Sequence, residues 1–147
     1  MFLDSSALVK LYVEEVGSDR VGTIVADEGE IFISRLAIVE IVSALVRRAR
    51  AGDISTQEVE ATLDGLRDDC ERDFAIVELE RAVLERAASL ARRWALRAAD
   101  SIQLACAMIA FAGQPGRFVC ADKELNAAAR LEVALVEDPS KTGAAGQ

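Results

Sequence analysis

Four acidic residues lie beside apolar runs, where burial of an unpaired charge would be costly. They are Asp4, Glu40, Asp100 and Asp122. A bound divalent cation is one of the best ways to relieve that cost, and a site made only of oxygen ligands favours hard ions such as Mg²⁺ or Mn²⁺. Such an ion lowers the pKa of its water, orients that water for attack and stabilises charge on a leaving oxygen. The pattern therefore indicates metal-assisted attack by water.

The chain contains no histidine, so Ser-His-Asp and Cys-His catalysis are excluded and a zinc site is disfavoured. Its three cysteines, Cys70, Cys106 and Cys120, form no C-x-x-C pair and suit a reducing compartment. An acidic residue at position 4 replaces the basic start of a signal peptide. We therefore expect a cytoplasmic protein.

Composition predicts one globular domain, because 147 residues can bury a substantial core and 52% of them are hydrophobic. The net charge of −8, from 17 basic and 25 acidic residues, argues against simple electrostatic binding of nucleic acid. A nucleic-acid substrate stays compatible with this charge if bound cations or a few local basic residues supply the contact. The longest apolar segment, residues 102–113, is too short to span a bilayer, so no membrane partner is expected.

Short apolar runs alternate with helical patterns, which predicts an α/β domain with a mainly parallel sheet. The predicted strands are residues 1–3, 31–33, 74–77, 117–120 and 133–136. Ser55 and Glu58 fit a helix capping box, and Gly52 is expected to end a preceding helix over residues 35–50. That helix is apolar nearly all round, so we expect it to be buried. The domain is expected to cover residues 1–137, followed by a disordered tail over residues 138–147.

Each acid also has a purely structural interpretation. Asp4, Asp100 and Asp122 could each be the N-cap of a helix, and Gln103 could complete such a cap with Asp100. Glu40 lies in the middle of an apolar helix, where the alternative is a buried salt bridge to Arg35 or Lys10. Ligand sites of open α/β sheets lie at the carboxyl ends of the strands. Asp4 and Asp122 follow predicted strands directly, so we expect the four acids to meet there.

The chain resembles the PIN-domain family, and within it the VapC-type toxins of bacterial toxin–antitoxin pairs. Four segments, spread over about residues 1–136, carry the resemblance in order and spacing: FLDSSALVKLY from residue 2, SRLAIVE from residue 34, LRAADSIQLA from residue 96 and CADKEL from residue 120. The resemblance implies a three-layer sandwich with a mainly parallel sheet of about five strands between helices. It implies a Mg²⁺- or Mn²⁺-dependent endoribonuclease whose product carries a 5′-phosphate and a 3′-hydroxyl.

By matching position, the resemblance assigns the acidic cluster to Asp4, Glu40, Asp100 and Asp122, with Ser6 as its supporting hydroxyl. Asp4 and Asp100 are expected to ligate the metal, while Glu40 and Asp122 position waters or a second ion. The expected partners are RNA, a cognate antitoxin that points a basic side chain at the acids, and a second copy in a homodimer.

The chain departs from the family pattern at two positions. Cys120 stands where many relatives have Thr or Ser, and Gln103 stands where many toxins have His. Nearby basic residues could hold RNA phosphates or could be ordinary surface charges: Lys10, Arg35, Arg97 and Lys123. Arg47, Arg48 and Arg50 are expected to complement a helix end, and Trp94 is expected in the core.

Two other functions fit the sequence. One is a housekeeping PIN nuclease that processes RNA without an antitoxin. The other is an inactive PIN-like binding module, although all four acids are present.

Overall fold

The fold was analysed in a computed structural model that describes residues 1–133 and 135–141. Its strands are β1 Phe2–Leu3, β2 Ile31–Ser34, β3 Phe74–Val77, β4 Arg117–Val119 and β5 Leu135–Glu137. Its helices are α1 Ser5–Leu8, α2 Ser18–Ala26, α3 Arg35–Ala51, α4 Thr56–Arg72, α5 Arg81–Trp94, α6 Ala98–Phe111 and α7 Lys123–Glu132, with a 3-10 turn over Val9–Leu11. The five predicted strands are confirmed, with ends shifted by no more than two residues.

The strands form one parallel sheet in the order β3-β2-β1-β4-β5. The chain adds β2 and β3 on one side of β1, then returns to add β4 and β5 on the other side. This reversal leaves a crevice beside the carboxyl ends of β1 and β4, the usual position of a ligand site in an open α/β sheet. The sheet order thus fixes where the site lies.

Two hydrophobic cores cover the two faces of the sheet, which confirms the predicted three-layer sandwich. Leu3 and Val119 point into the core formed with α1 to α4, whereas Phe2 and Phe118 point into the core formed with α5 to α7. The alternation follows from the pleat of a strand, in which successive side chains face opposite sides. The Phe2 and Phe118 rings stack with centroids 5.8 Å apart, joining β1 to β4 beneath the crevice.

The sequence predicted the bounds of α3 and the N-terminal cap of α4 but not the burial of α3. The Ser55–Glu58 capping box is present, and Gly52 ends α3 with a φ of 83°. However, α3 buries only one side and leaves its valines exposed, Val39 by 61% and both Val42 and Val46 by 36%. The expectation of a fully buried helix was wrong, because α3 lies in an outer layer and packs on the sheet with one side only.

The segment after β5 is described only in part. Residues 138–141, predicted to begin a disordered tail, form a turn in which the Ser140 amide donates to Asp138 Oδ1 over 3.0 Å. Pro139 is buried, and its carbonyl lies so close to Gly17 that a Cβ there would be 2.6 Å away. The rest of the predicted tail, residues 142–147, lies outside the described residues. None of the described helices is long and apolar enough to cross a bilayer.

Candidate active site

Asp4 and Asp122 follow the two central strands and begin the helices that leave them. Asp4 is the N-cap of α1 and accepts the Ser6 amide on Oδ2 at 3.0 Å; Asp122 is the N-cap of α7 and accepts the Leu125 amide on Oδ1 at 2.8 Å. The capping interpretation is therefore correct for both residues. It is compatible with a ligand role, because an ionised carboxylate can accept several bonds. Capping fixes the orientation of both carboxylates at the mouth of the crevice.

Ser6 joins the two sides of this crevice. Its hydroxyl donates to Asp4 Oδ2 over 2.6 Å and accepts the amide of Ala121, after β4, at 2.9 Å. One residue before Ala121, Cys120 Sγ accepts the amide of Asp122 at 3.2 Å. The cysteine thus still provides an acceptor where many relatives have a hydroxyl. These contacts place Ser6 directly between Asp4 and the residues after β4.

Glu40 reaches the site from the middle of α3, where it is half-buried. Its Oε2 accepts the side-chain amide of Gln103, on α6, at 2.6 Å. The alternative of a salt bridge was wrong, because Lys10 pairs with Glu15 at 2.6 Å and Arg35 pairs with Glu78. Glu40 is therefore held by a neutral amide and forms no ion pair within the described residues.

Asp100 comes to the site from the first turn of α6. The N-cap of that helix is Arg97, so the predicted capping role of Asp100 was wrong. Gln103 does not complete a cap either, since its amide bonds to Glu40 and to Ser34. The half-buried Asp100 is thus the acid for which capping offers no explanation.

The pKa shifts indicate that the acids act on one another. Burial, together with the negative charge of Glu40, raises the pKa of Asp4 to about 6, although the Ser6 hydrogen bonds lower it. Burial also raises the pKa of Asp100, helped by the charges of Asp122 and Glu40 and opposed by the positive charge of Arg97. The mutual shifts place the charges of these carboxylates close enough to repel one another. A bound cation would relieve this repulsion.

The donor set fits Mg²⁺ or Mn²⁺ because it is made only of carboxylate oxygens. Within the described residues, none of the four acids forms an ion pair with Lys or Arg. Among residues 1–133 and 135–141, no group of three or more Asp, Glu or Cys side chains is arranged so that it could hold a metal ion by itself. Mg²⁺ commonly binds through one or two carboxylates and keeps several waters, so an open arrangement suits it.

One basic residue beside the acids was missed as a candidate. Arg47 lines a cavity of about 230 Å³ together with Ser5, Ser6 and Glu40. It lies seven residues after Glu40, two turns along the same face of α3, and this spacing could have identified it. Its guanidinium donates to Ser43 Oγ over 2.8 Å, and it forms no ion pair with any described acid.

Trp94, by contrast, is structural. It packs in the core of α5 to α7, as the sequence predicted, and its indole N–H donates to Glu132 Oε1 at 2.8 Å.

A family model and two curated relatives place the chain in the same protein family. A family model described as PIN domain matches residues 1–131. A curated relative, Ribonuclease VapC45 of Mycobacterium tuberculosis (strain CDC 1551 / Oshkosh), is 34% identical over 137 residues, covering 88% of each chain. Ribonuclease VapC49 of Mycobacterium tuberculosis (strain ATCC 25618 / H37Rv) matches to the same extent. The chain therefore belongs to the PIN-domain family.

Solved structures share the fold at lower identity. A toxin–antitoxin complex from Klebsiella pneumoniae has a TM-score of 0.61 at 17% identity, covering 94% of this chain and 96% of that one. FitAcB from Neisseria gonorrhoeae has a TM-score of 0.65 at 18% identity, covering 94% and 96%. At 17% and 18% identity, the likeness to these structures shows a shared fold alone.

Proposed function

We propose that the protein is a divalent-metal-dependent endoribonuclease of the VapC type, the toxin of a toxin–antitoxin pair. The observation that carries the proposal is Asp4, a carboxylate only 3% exposed that has no basic partner among the described residues. Burying an ionised carboxylate without a charge partner is costly, and a bound cation would relieve that cost. The curated relatives carry the name ribonuclease, which supports RNA as the substrate.

Asp4 and Asp100 would hold the cation, and Glu40 and Asp122 would hold waters or a second ion. When bound, Mg²⁺ or Mn²⁺ would make a water more acidic and stabilise negative charge on the leaving oxygen. The protein's own residues orient the reactants. Ser6 fixes Asp4, the α7 cap fixes Asp122, and the crevice beside the carboxyl ends of β1 and β4 would admit the phosphodiester.

Arg47 would supply the local positive charge that RNA needs on a protein with a net charge of −8. Two other cations near the acids are less suited, since Lys10 is bound to Glu15 and Arg35 to Glu78. Arg47 is exposed and lines the same cavity as Glu40, so it can contact a phosphate while the neighbouring phosphate meets the acids. No participation of the RNA 2′-hydroxyl is needed, so the products should carry a 5′-phosphate and a 3′-hydroxyl.

An antitoxin and a second copy of the chain are the proposed protein partners. The Klebsiella pneumoniae neighbour was solved as a toxin–antitoxin complex, which supports the first. The exposed valines of α3 supply apolar surface of the kind that protein partners cover. A cytoplasmic location is consistent with the free cysteines Cys70, Cys106 and Cys120.

The test is cleavage of RNA by the purified, antitoxin-free protein. We expect cleavage with Mg²⁺ or Mn²⁺, none with EDTA, and products that a 5′-phosphate-dependent exonuclease degrades. Cleavage that persists in EDTA, or products ending in a 2′,3′-cyclic phosphate, would contradict the proposal. A folded protein that binds Mn²⁺ and cuts no RNA in a total cellular preparation would instead favour the inactive binding module.

A further inference from the structure

Gln103 is a buried polar residue beside the acidic cluster. Its side chain is 1% exposed and lies on α6, one turn after Asp100 and on the same face of the helix. A buried amide needs hydrogen-bond partners, so the residues that bond to Gln103 indicate the role of its side chain.

The two ends of the Gln103 amide have different partners. Nε2 donates to Glu40 Oε2 over 2.6 Å, and Oε1 accepts the Ser34 hydroxyl at 2.8 Å. This orientation is the one that chemistry allows, because an ionised carboxylate only accepts hydrogen bonds and would repel an amide oxygen. The amide therefore presents a donor to Glu40.

Ser34 is itself fixed. It ends β2, is fully buried and is the N-cap of α3, where its hydroxyl oxygen accepts the Ala37 amide at 2.9 Å. A continuous chain of hydrogen bonds thus runs from this cap through Gln103 to Glu40. It joins the beginning of α3 to a carboxylate in the middle of the same helix by way of α6.

We propose that Gln103 is a positioning residue that holds the Glu40 carboxylate toward the cation site. The inference rests on the proposed function, because it needs Glu40 to take part in metal binding. Glu40 projects from a surface helix and has three rotatable side-chain bonds before its carboxylate, so it needs a fixed partner to keep one geometry. A neutral amide gives that partner without supplying a positive charge that would compete with the cation.

The test measures Mn²⁺ affinity by calorimetry for the wild type, Gln103→Met, Glu40→Gln and the double variant. Met is close to Gln in size and lacks the donor, so Gln103→Met should weaken Mn²⁺ binding about 10- to 100-fold, as is typical for a residue that orients a ligand. In the Glu40→Gln background the same change should have almost no further effect, because its influence passes through Glu40. Gln103→His, which restores a donor, should recover most of the affinity.

Two outcomes would overturn the inference. One is an unchanged Mn²⁺ affinity in Gln103→Met or in Glu40→Gln. The other is an equal loss in both backgrounds, which would indicate a general effect on packing, and thermal unfolding of each metal-free variant would detect that effect directly. These results are independent of RNA cleavage. A protein that shows the expected cycle but cuts no RNA would refute the ribonuclease proposal and leave the role of Gln103 intact.

A second readout needs neither metal nor activity. In the metal-free protein, the side-chain amide signals of Gln103 should shift in NMR spectra when Glu40→Gln is introduced, because the bond to a charged acceptor is lost. Unchanged signals would mean that the amide does not contact Glu40 in solution.

Discussion

The amide of Ala121 donates to the hydroxyl of Ser6, 115 positions away in sequence, over 2.9 Å. The same hydroxyl donates to Asp4 over 2.6 Å. One side chain therefore connects the residues after β1 to those after β4 beside the crevice.

Removal of this hydroxyl should weaken both the fold and the site. We expect Ser6→Ala to lower the free energy of unfolding by about 1–3 kcal/mol, because the Ala121 amide and the Asp4 carboxylate each lose a partner in a largely buried region. Urea denaturation of the metal-free protein measures this change. Ser5→Ala is the matched control, since Ser5 precedes Ser6 in α1 and its side chain forms no hydrogen bond with the described residues. Equal stability of the two variants would contradict the bridging role.

The sequence predicted the strands and the sheet class, and it singled out the four acids as candidates, because those features have local signals. Apolar runs of strand length and a carboxylate within an apolar helix are visible without any contact information. Two features were beyond its reach because they depend on tertiary packing. The pairing of Gln103 with Glu40 joins residues 63 positions apart, and the exposure of Val39 depends on which side of α3 meets the sheet.

Asp100 shows the same limit in another way, because here a local motif predicted an interaction that does not form. The local pattern of an acid followed three residues later by Gln is that of a capping box, and the structure places the cap at Arg97 instead. A short motif describes what a side chain can do, whereas its neighbours in space determine which interaction forms.

Asp4 should make the stability of the metal-free protein depend on pH. Its pKa of about 6 lies above the usual 3.8, so the folded protein binds this proton more tightly than the unfolded chain does. The resulting stabilisation is present below about pH 4 and is lost as the pH rises to about 6. Asp4→Asn removes the ionisation and keeps the cap, because Asn is as good an N-cap as Asp.

We therefore expect Asp4→Asn to be more stable than the wild type at pH 7 in EDTA. The rise in the pKa of Asp4 from 3.8 to about 6 corresponds to a difference in the free energy of unfolding of up to about 3 kcal/mol. The two proteins should converge near pH 4, as measured by urea denaturation across the pH range. Asp53→Asn, at an exposed position, should follow the wild type. A variant less stable than the wild type at pH 7 would contradict an uncompensated, buried Asp4.

Arg47 should contribute to RNA binding through charge. We expect Arg47→Ala to weaken binding of a short single-stranded RNA by about 1 kcal/mol, roughly fivefold. The slope of log affinity against log salt concentration should fall by about 0.7, the value for one phosphate contact on a single strand. Fluorescence anisotropy measures both, in an Asp100→Asn background that prevents cleavage.

Arg50→Ala provides the control, because Arg50 is exposed on the same helix and does not line the cavity beside Glu40. Both variants remove one positive charge from α3. Equal losses of affinity would show that only the overall charge of α3 matters, and the assignment of Arg47 to the site would be wrong.

If one cluster of carboxylates carries RNA cleavage, single-turnover cleavage rates in Mn²⁺ should depend on each of the four acids. Four variants each replace one acid by its amide: Asp4→Asn, Glu40→Gln, Asp100→Asn and Asp122→Asn. Glu124→Gln removes the same charge from an exposed neighbour in the first turn of α7. We predict a rate loss of at least about 100-fold in each of the four, with folding retained, and little change in Glu124→Gln. Wild-type rates in Asp4→Asn or Asp100→Asn would contradict cleavage by this cluster.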